Sequence, residues 1–240
     1  MLKGKTIFIT GGTGYIGSGI CKKAAEYGAK VIFSYNKDTE KAEALLKELS
    51  GAKAVQINFC NVRDITSTIE NLYKNEPVID ILVNNAAISQ IMPLAMLEED
   101  DVDMSMNINI KGTIFVTKAV ARGMIRNKHG VIINIGSIAG QRILDVPLTY
   151  AMTKAALPGM TNALAAELKR FNIRVNTVIP GMMEGGVAKG VPDDLRADFL
   201  KHNTRGRAGT AEDVAEFVCF LASDKSSYIN GQHIAVDGGI

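Results

Sequence analysis

Tyr150 and Lys154 stand four residues apart in the run LTYAMTKAAL, a spacing that puts both on one face of a helix. Ser137 lies thirteen positions before Tyr150, in INIGSIAG. A phenol with a pKa of about 10 is a fair acid and a poor base at neutral pH. A lysine cation about 4 Å away, at an effective dielectric of about 20, favours the phenolate by up to ~4 kcal/mol and lowers that pKa by roughly two or three units. Such a phenol gives a proton to a carbonyl oxygen as hydride reaches the carbon, or takes one from an alcohol in the reverse direction, with the serine hydroxyl on the same oxygen. A lone Tyr-x-x-x-Lys is more often a surface pair on an amphipathic helix. The weight of this one depends on the elements that position it.

Short runs rich in Val and Ile at 6–10, 30–34, 54–58, 79–83, 131–135, 174–179 and 233–236 read as strands. Helical patterns fill the intervals at 16–27, 39–49, 65–74, 100–126, 148–170 and 211–222. Strands apolar throughout need cover on both faces, so the expected fold is α/β, a single Rossmann-type domain with a doubly wound parallel sheet of about seven strands. Ser137 then follows the fifth strand, at the carboxyl edge where ligands gather in such sheets. The one stretch off this rhythm is 182–209, with five glycines and mixed charge, and it reads as a binding loop or lid.

The first predicted strand runs into TGGTGYIG, residues 10–17, which opens the first predicted helix. Glycines there permit a tight turn, bring a pyrophosphate to backbone N–H groups at a helix N-terminus, and let the helix pack close to the sheet. No Gly-Lys-Ser/Thr ending follows, so a nucleoside-triphosphate loop is not expected. At the end of the second strand, where an acid would accept the 2′-hydroxyl of NAD, the chain reads Phe33-Ser34-Tyr35-Asn36-Lys37. With Tyr35 in the acid's place and Ser34, Asn36 and Lys37 as donors, the pocket is expected to prefer NADP(H).

The chain has 240 residues, 47% of them apolar, and a formal net charge of +2, which bounds a full core without a nucleic-acid or membrane surface. Its three cysteines, Cys21, Cys60 and Cys219, have neither disulfide-framework nor zinc-site spacing, so no metal is expected. No apolar run reaches the ~18–20 residues of a membrane span, and a cytoplasmic protein is expected.

Taken together, these residues resemble the short-chain dehydrogenase/reductase family nearly end to end. The resemblance rests on the glycine loop, Asn84-Asn85-Ala86-Ala87, Asn109 in NIKGT, Ser137, the Tyr150–Lys154 pair, Val175-Asn176 leading to Pro180-Gly181, and the VDGG ending. Among its branches the chain is most similar to bacterial 3-oxoacyl-[acyl-carrier-protein] reductases. The resemblance implies Tyr150 as acid/base, Ser137 positioning the substrate oxygen, Lys154 holding the nicotinamide ribose, and Asn109 keeping a water for proton relay. It also implies that Gly11, Thr13, Gly14, Tyr15, Ile16 and Gly17 meet the pyrophosphate and that Asn61 and Val62 hold the adenine. Asn85, Ala86 and Ala87 would lie beside the cofactor, and Pro180, Gly181, Met182 and Met183 would border the nicotinamide. The 182–209 stretch would be the substrate lid, and the chain a homotetramer or dimer joined through its long helices.

Four departures stand out. Tyr15 replaces a usual glycine, giving the spacing of a longer sugar-nucleotide-modifying branch whose large C-terminal region 240 residues cannot supply. Asn61 replaces the usual aspartate, an amide that still offers donor and acceptor. The usual threonine is absent from Pro180-Gly181-Met182-Met183-Glu184-Gly185, and Pro158 lies inside the long helix, where a kink is expected. Two substrates fit: a 3-oxoacyl thioester, with Lys128 and Arg170 meeting an acidic acyl carrier protein, or a cyclic, steroid-like ketone. The second would lie between Met182, Met183, Ile143 and Leu144 and an opposite wall of Ile91 and Met92, unless those methionines are simply core. A non-catalytic NADP(H) sensor or scaffold is the rival reading, though such a chain would be expected to have lost Tyr150 or Lys154.

Overall fold

Alternate residues of the apolar strands point to opposite faces, and each face acquires its own helical cover. The computed structural model describes residues 1–76 and 78–240. In chain order the main elements begin with β1 (Thr6–Ile9), α1 (Tyr15–Glu26), β2 (Lys30–Tyr35), α2 (Thr39–Glu48), β3 (Lys53–Gln56), α3 (Val62–Asn75) and β4 (Ile81–Asn84). There follow α4 (Glu99–Ser105), α5 (Thr113–Asn127), β5 (Gly130–Ile135), α6 (Leu148–Leu168), β6 (Ile173–Pro180), α7 (Asp193–His202), α8 (Ala211–Ala222) and β7 (His233–Val236).

The seven strands form one parallel sheet in the order β3-β2-β1-β4-β5-β6-β7. On one side Ile7, Ile9, Phe33, Val83 and Ile133 pack under α1, α2 and α8. On the other, Phe8, Ile32, Leu82 and Ile132 pack under α3, α5 and α6. The seven-stranded Rossmann reading is borne out, and the order reverses between β1 and β4, which opens a crevice above their carboxyl ends.

Two helical expectations are corrected. The single helix expected over 100–126 is α4 and α5 joined by a wider π-type turn, Met106–Gly112. Within that turn Asn109 spends its side chain outside the helix, with Nδ2 donating to the Ile88 carbonyl (2.9 Å) and Oδ1 accepting from the Ile88 amide (2.8 Å). The segment 182–209 also holds α7, with Asp193 and Asp194 in its first turn and Lys201 and His202 in its last, placements that suit the helix dipole. Helix α6 runs unbroken through Pro158, whose missing N–H leaves the Lys154 carbonyl without its usual helical donor.

Candidate active site

The turn from β1 into α1 is built by what its glycines exclude. Gly11 has φ +65°, and a Cβ there would lie 2.9 Å from the Ala86 Cα; a Cβ on Gly17 would lie 2.2 Å from the Gly11 carbonyl oxygen. The turn is tied to the end of β4: Thr10 Oγ1 accepts the amides of Asn85 (2.9 Å) and Ala86 (3.0 Å), and Asn85 Nδ2 donates to the carbonyls of Thr10 and Gly11. It is tied to β2 through Ser34, whose Oγ accepts the Gly11 amide at 3.1 Å and whose carbonyl accepts the Gly12 amide at 2.8 Å. Helix α1 has Gly14 at its N-cap, with no side-chain cap and no acid in its first turn, so its first amides and positive dipole end remain available to an anion.

From this turn a cavity of about 750 Å³ runs along the carboxyl edge of the sheet. Gly11, Thr13, Gly14, Tyr15, Ile16 and Gly17 line it, as do Tyr35, Asn36, Asn85, Ala86 and Ala87. Ser137, Tyr150, Lys154, Pro180, Gly181, Met182 and Met183 also line it, with Ile143 and Leu144. Lys37, Asn61 and Val62 are not among its lining residues. Asn61 instead caps α3, its Oδ1 accepting the amides of Arg63 (3.0 Å) and Asp64 (3.3 Å). Ile91 and Met92 are also outside the lining, although Ile91 approaches the 182–209 segment, where a Cβ on Gly190 would lie 2.8 Å from its Cδ1.

Beside Tyr150, Ser137 caps a short 3-10 turn, Ile138–Gly140, its Oγ accepting the Ala139 amide at 3.1 Å. That turn sits on α6 so closely that a Cβ on Gly140 would lie 2.5 Å from the Ala155 nitrogen and 2.8 Å from the Lys154 carbonyl carbon. Lys154 Nζ donates to the Ile135 carbonyl at 2.8 Å and lies 5.8 Å from the Tyr150 ring centroid. Burial pushes the lysine down to about 8 from its usual 10.5.

The expected lowering of the Tyr150 pKa by Lys154 is not what this geometry gives. Burial holds the phenol above its usual value, the Ser137 hydroxyl draws it partly back, and the lysine cation is directed at the Ile135 carbonyl instead. Asn109 does not line the cavity; it is buried behind it, and its Nδ2 also donates to Thr153 Oγ1 (3.0 Å), one residue before Lys154.

Several contacts could not be read from the sequence. A buried chain runs from Thr117 through Asn84, Asn134 and Thr161 to Thr177 at 2.7–2.9 Å per link, joining α5, β4, β5, α6 and β6 beneath the cavity. The same holds for Gly140, Thr10 and Ser34: Thr10 and Ser34 lie in stretches read for the cofactor, but only the fold shows what the three touch. Phe199 and His202 of α7 line the cavity as well.

Comparison with known proteins agrees with this geometry. The family described as enoyl-(acyl carrier protein) reductase matches residues 13–240. The 3-oxoacyl-[acyl-carrier-protein] reductase FabG of Thermotoga maritima is 38% identical over 243 residues, covering 100% of this chain and 98% of the relative. The chain belongs to the short-chain dehydrogenase/reductase family. FabG of Escherichia coli is 34% identical over 240 residues, covering 99% of this chain and 98% of that protein. A solved short-chain dehydrogenase/reductase from Serratia marcescens superposes with a TM-score of 0.91 at 30% identity, over 99% of this chain and 98% of that one. The short-chain dehydrogenase/reductase described here is an NAD(P)-dependent oxidoreductase, similar to the FabG enzymes. Among the described residues no helix is long and apolar enough to cross a membrane.

Proposed function

We propose that this reductase converts a ketone to a secondary alcohol, or the reverse, with Tyr150 as the acid/base, and that its substrate is a 3-oxoacyl thioester. The observation that carries the reading is the convergence of Ser137, Tyr150 and Lys154 on the cavity that begins at the uncapped N-terminus of α1. A dinucleotide fits that cavity: anion-binding amides lie at the α1 end, and the Ser34-Tyr35-Asn36 border carries no carboxylate to repel a 2′-phosphate. When bound, the nicotinamide supplies or accepts the hydride. Gly11 to Gly17 meet the pyrophosphate, Asn85 to Ala87 border the ribose, and Pro180 to Met183 border the nicotinamide.

Tyr150 donates its proton to the carbonyl oxygen and Ser137 orients that oxygen; Lys154 holds the ribose, and Asn109 supports the proton path behind it. The raised phenol favours the protonated form needed for reduction. NADP(H) is the preferred cofactor, met at its 2′-phosphate by Asn36 at the cavity, with Lys37 exposed beside it outside the lining. The segment 182–209 is the lid, and exposed Lys128 and Arg170 meet the acidic carrier. Exposed Ile114 and Met152 on α5 and α6 support a homo-oligomer joined there, in the cytoplasm.

The family description favours a second reading, reduction of a carbon–carbon double bond. NADPH consumption with a 3-oxoacyl thioester, and none with the matching enoyl thioester, is expected; the opposite pattern overturns the ketone assignment. Tyr35→Asp is expected to move preference toward NADH. Tighter binding of NADH than NADPH by the native protein contradicts the cofactor reading.

A further inference from the structure

Two departures from the family pattern touch each other in the fold. Tyr15 opens α1 where a glycine is usual, and Gly185 ends the run after β6 in which the usual threonine is missing. Gly185 has φ −139° and ψ −171°, extended backbone open to any residue, so conformation does not explain its bare Cα. Space does: a Cβ there would lie 2.6 Å from Tyr15 Cδ2 and 2.8 Å from its Cγ. At Gly186, φ +71° favours glycine for its backbone, and a Cβ would lie 3.3 Å from the Tyr15 Cβ. The Tyr15 ring, half-buried against the core under α1, fills the volume that a side chain at 185 would occupy.

Just before this contact the two ends of the 182–209 segment are pinned together. The Gly209 amide donates to the Met182 carbonyl at 2.8 Å and the Glu184 amide to the Gly209 carbonyl at 2.9 Å. Gly185 and Gly186 are therefore the first residues past the clasp, and both line the cavity with Tyr15. One residue thus serves two walls: the Tyr15 backbone lies in the first turn of α1, and its ring lies under the root of the segment.

We propose that Tyr15 is a positioning residue, its ring seating the root of the 182–209 segment on the α1 end of the cavity, so that the wall facing the ketone is fixed by the same turn that holds the dinucleotide. This rests on the ketone-reductase reading above. Bulk at 15 and bulk at 185 are alternatives, and the pair is coupled.

The test is a double-mutant cycle of Tyr15→Gly, Gly185→Thr and the combined variant, with Tyr15→Phe as the conservative control and thermal unfolding to verify folding. Each is read by NADPH binding, by ketone KM against kcat, and by tryptic cleavage at exposed Lys189 under saturating NADPH. Each single variant is expected to raise ketone KM and speed cleavage by about fivefold, and the combined variant to return both to within about twofold of native. Tyr15→Phe keeps the ring and is expected to leave cleavage at Lys189 at the native rate. If Gly185→Thr does not fold, Gly185→Ala takes its place in the cycle. Multiplying effects in the combined variant, or native cleavage in Tyr15→Gly, overturn the proposal. Lack of ketone turnover by native protein strikes at the functional reading, and the cleavage cycle still decides the pair.

Discussion

Replacing Lys154 with methionine separates what the site needs for chemistry from what the fold would choose. The Lys154 side chain is buried, and its pKa falls from 10.5 to about 8, with desolvation as the cause. At 1.36 kcal/mol per unit, holding this lysine charged in the fold costs about 3 kcal/mol at neutral pH. Its charge-assisted hydrogen bond to the Ile135 carbonyl, which methionine forfeits, offsets ~1.5–3 kcal/mol. The net stability change at pH 7 is therefore small, and the pH dependence carries the signature.

Between pH 8 and 10.5 the unfolded chain holds a proton on Lys154 that the folded chain has shed, so native stability rises with pH across this window. Lys154→Met lacks that rise. Urea unfolding of both proteins without dinucleotide, from pH 7 to 10.5, is expected to show native gaining about 3 kcal/mol on the variant, while variant turnover falls by about 10²-fold or more. A stability difference that stays constant over that range refutes the reasoning.

Two further substitutions probe the supports of the site. Gly140→Ala forces a methyl onto the backbone of α6 at Lys154 and Ala155; a loss of ~1–3 kcal/mol is expected, with kcat falling about tenfold and NADPH Kd nearly unchanged. Thermal unfolding and steady-state kinetics check both. Asn109→Ala leaves the Ile88 amide and carbonyl and the Thr153 hydroxyl without their buried partner, so unfolding in urea should show a loss of ~2–4 kcal/mol.

The sheet was legible because its central strands are apolar on both faces, a pattern that fits a parallel sheet between two helical layers. The positions of Ser137, Tyr150 and Lys154 followed from that sheet. The join between α4 and α5 was hidden because Asn109 and its neighbours are compatible with a continuous helix; the wide turn depends on Ile88, twenty-one residues away. Helix α7 carries acids at its start and cations at its end, but five glycines across the wider segment masked that pattern. The proton balance of Tyr150 was misread for a different reason: spacing puts Lys154 on the same helical face but does not reveal that its ammonium turns to the Ile135 carbonyl. Tyr15 and Gly185 read as unrelated irregularities until the fold placed one against the other.

In the proposed reaction the Tyr150 hydroxyl delivers the proton during ketone reduction. The direct measurement is NADPH oxidation by native protein and Tyr150→Phe with a 3-oxoacyl thioester at pH 7, beside NADPH binding by both. Native turnover with a loss of about 10²–10⁴-fold in the variant, and dinucleotide binding retained, is the predicted result. Turnover by Tyr150→Phe at the native rate contradicts it.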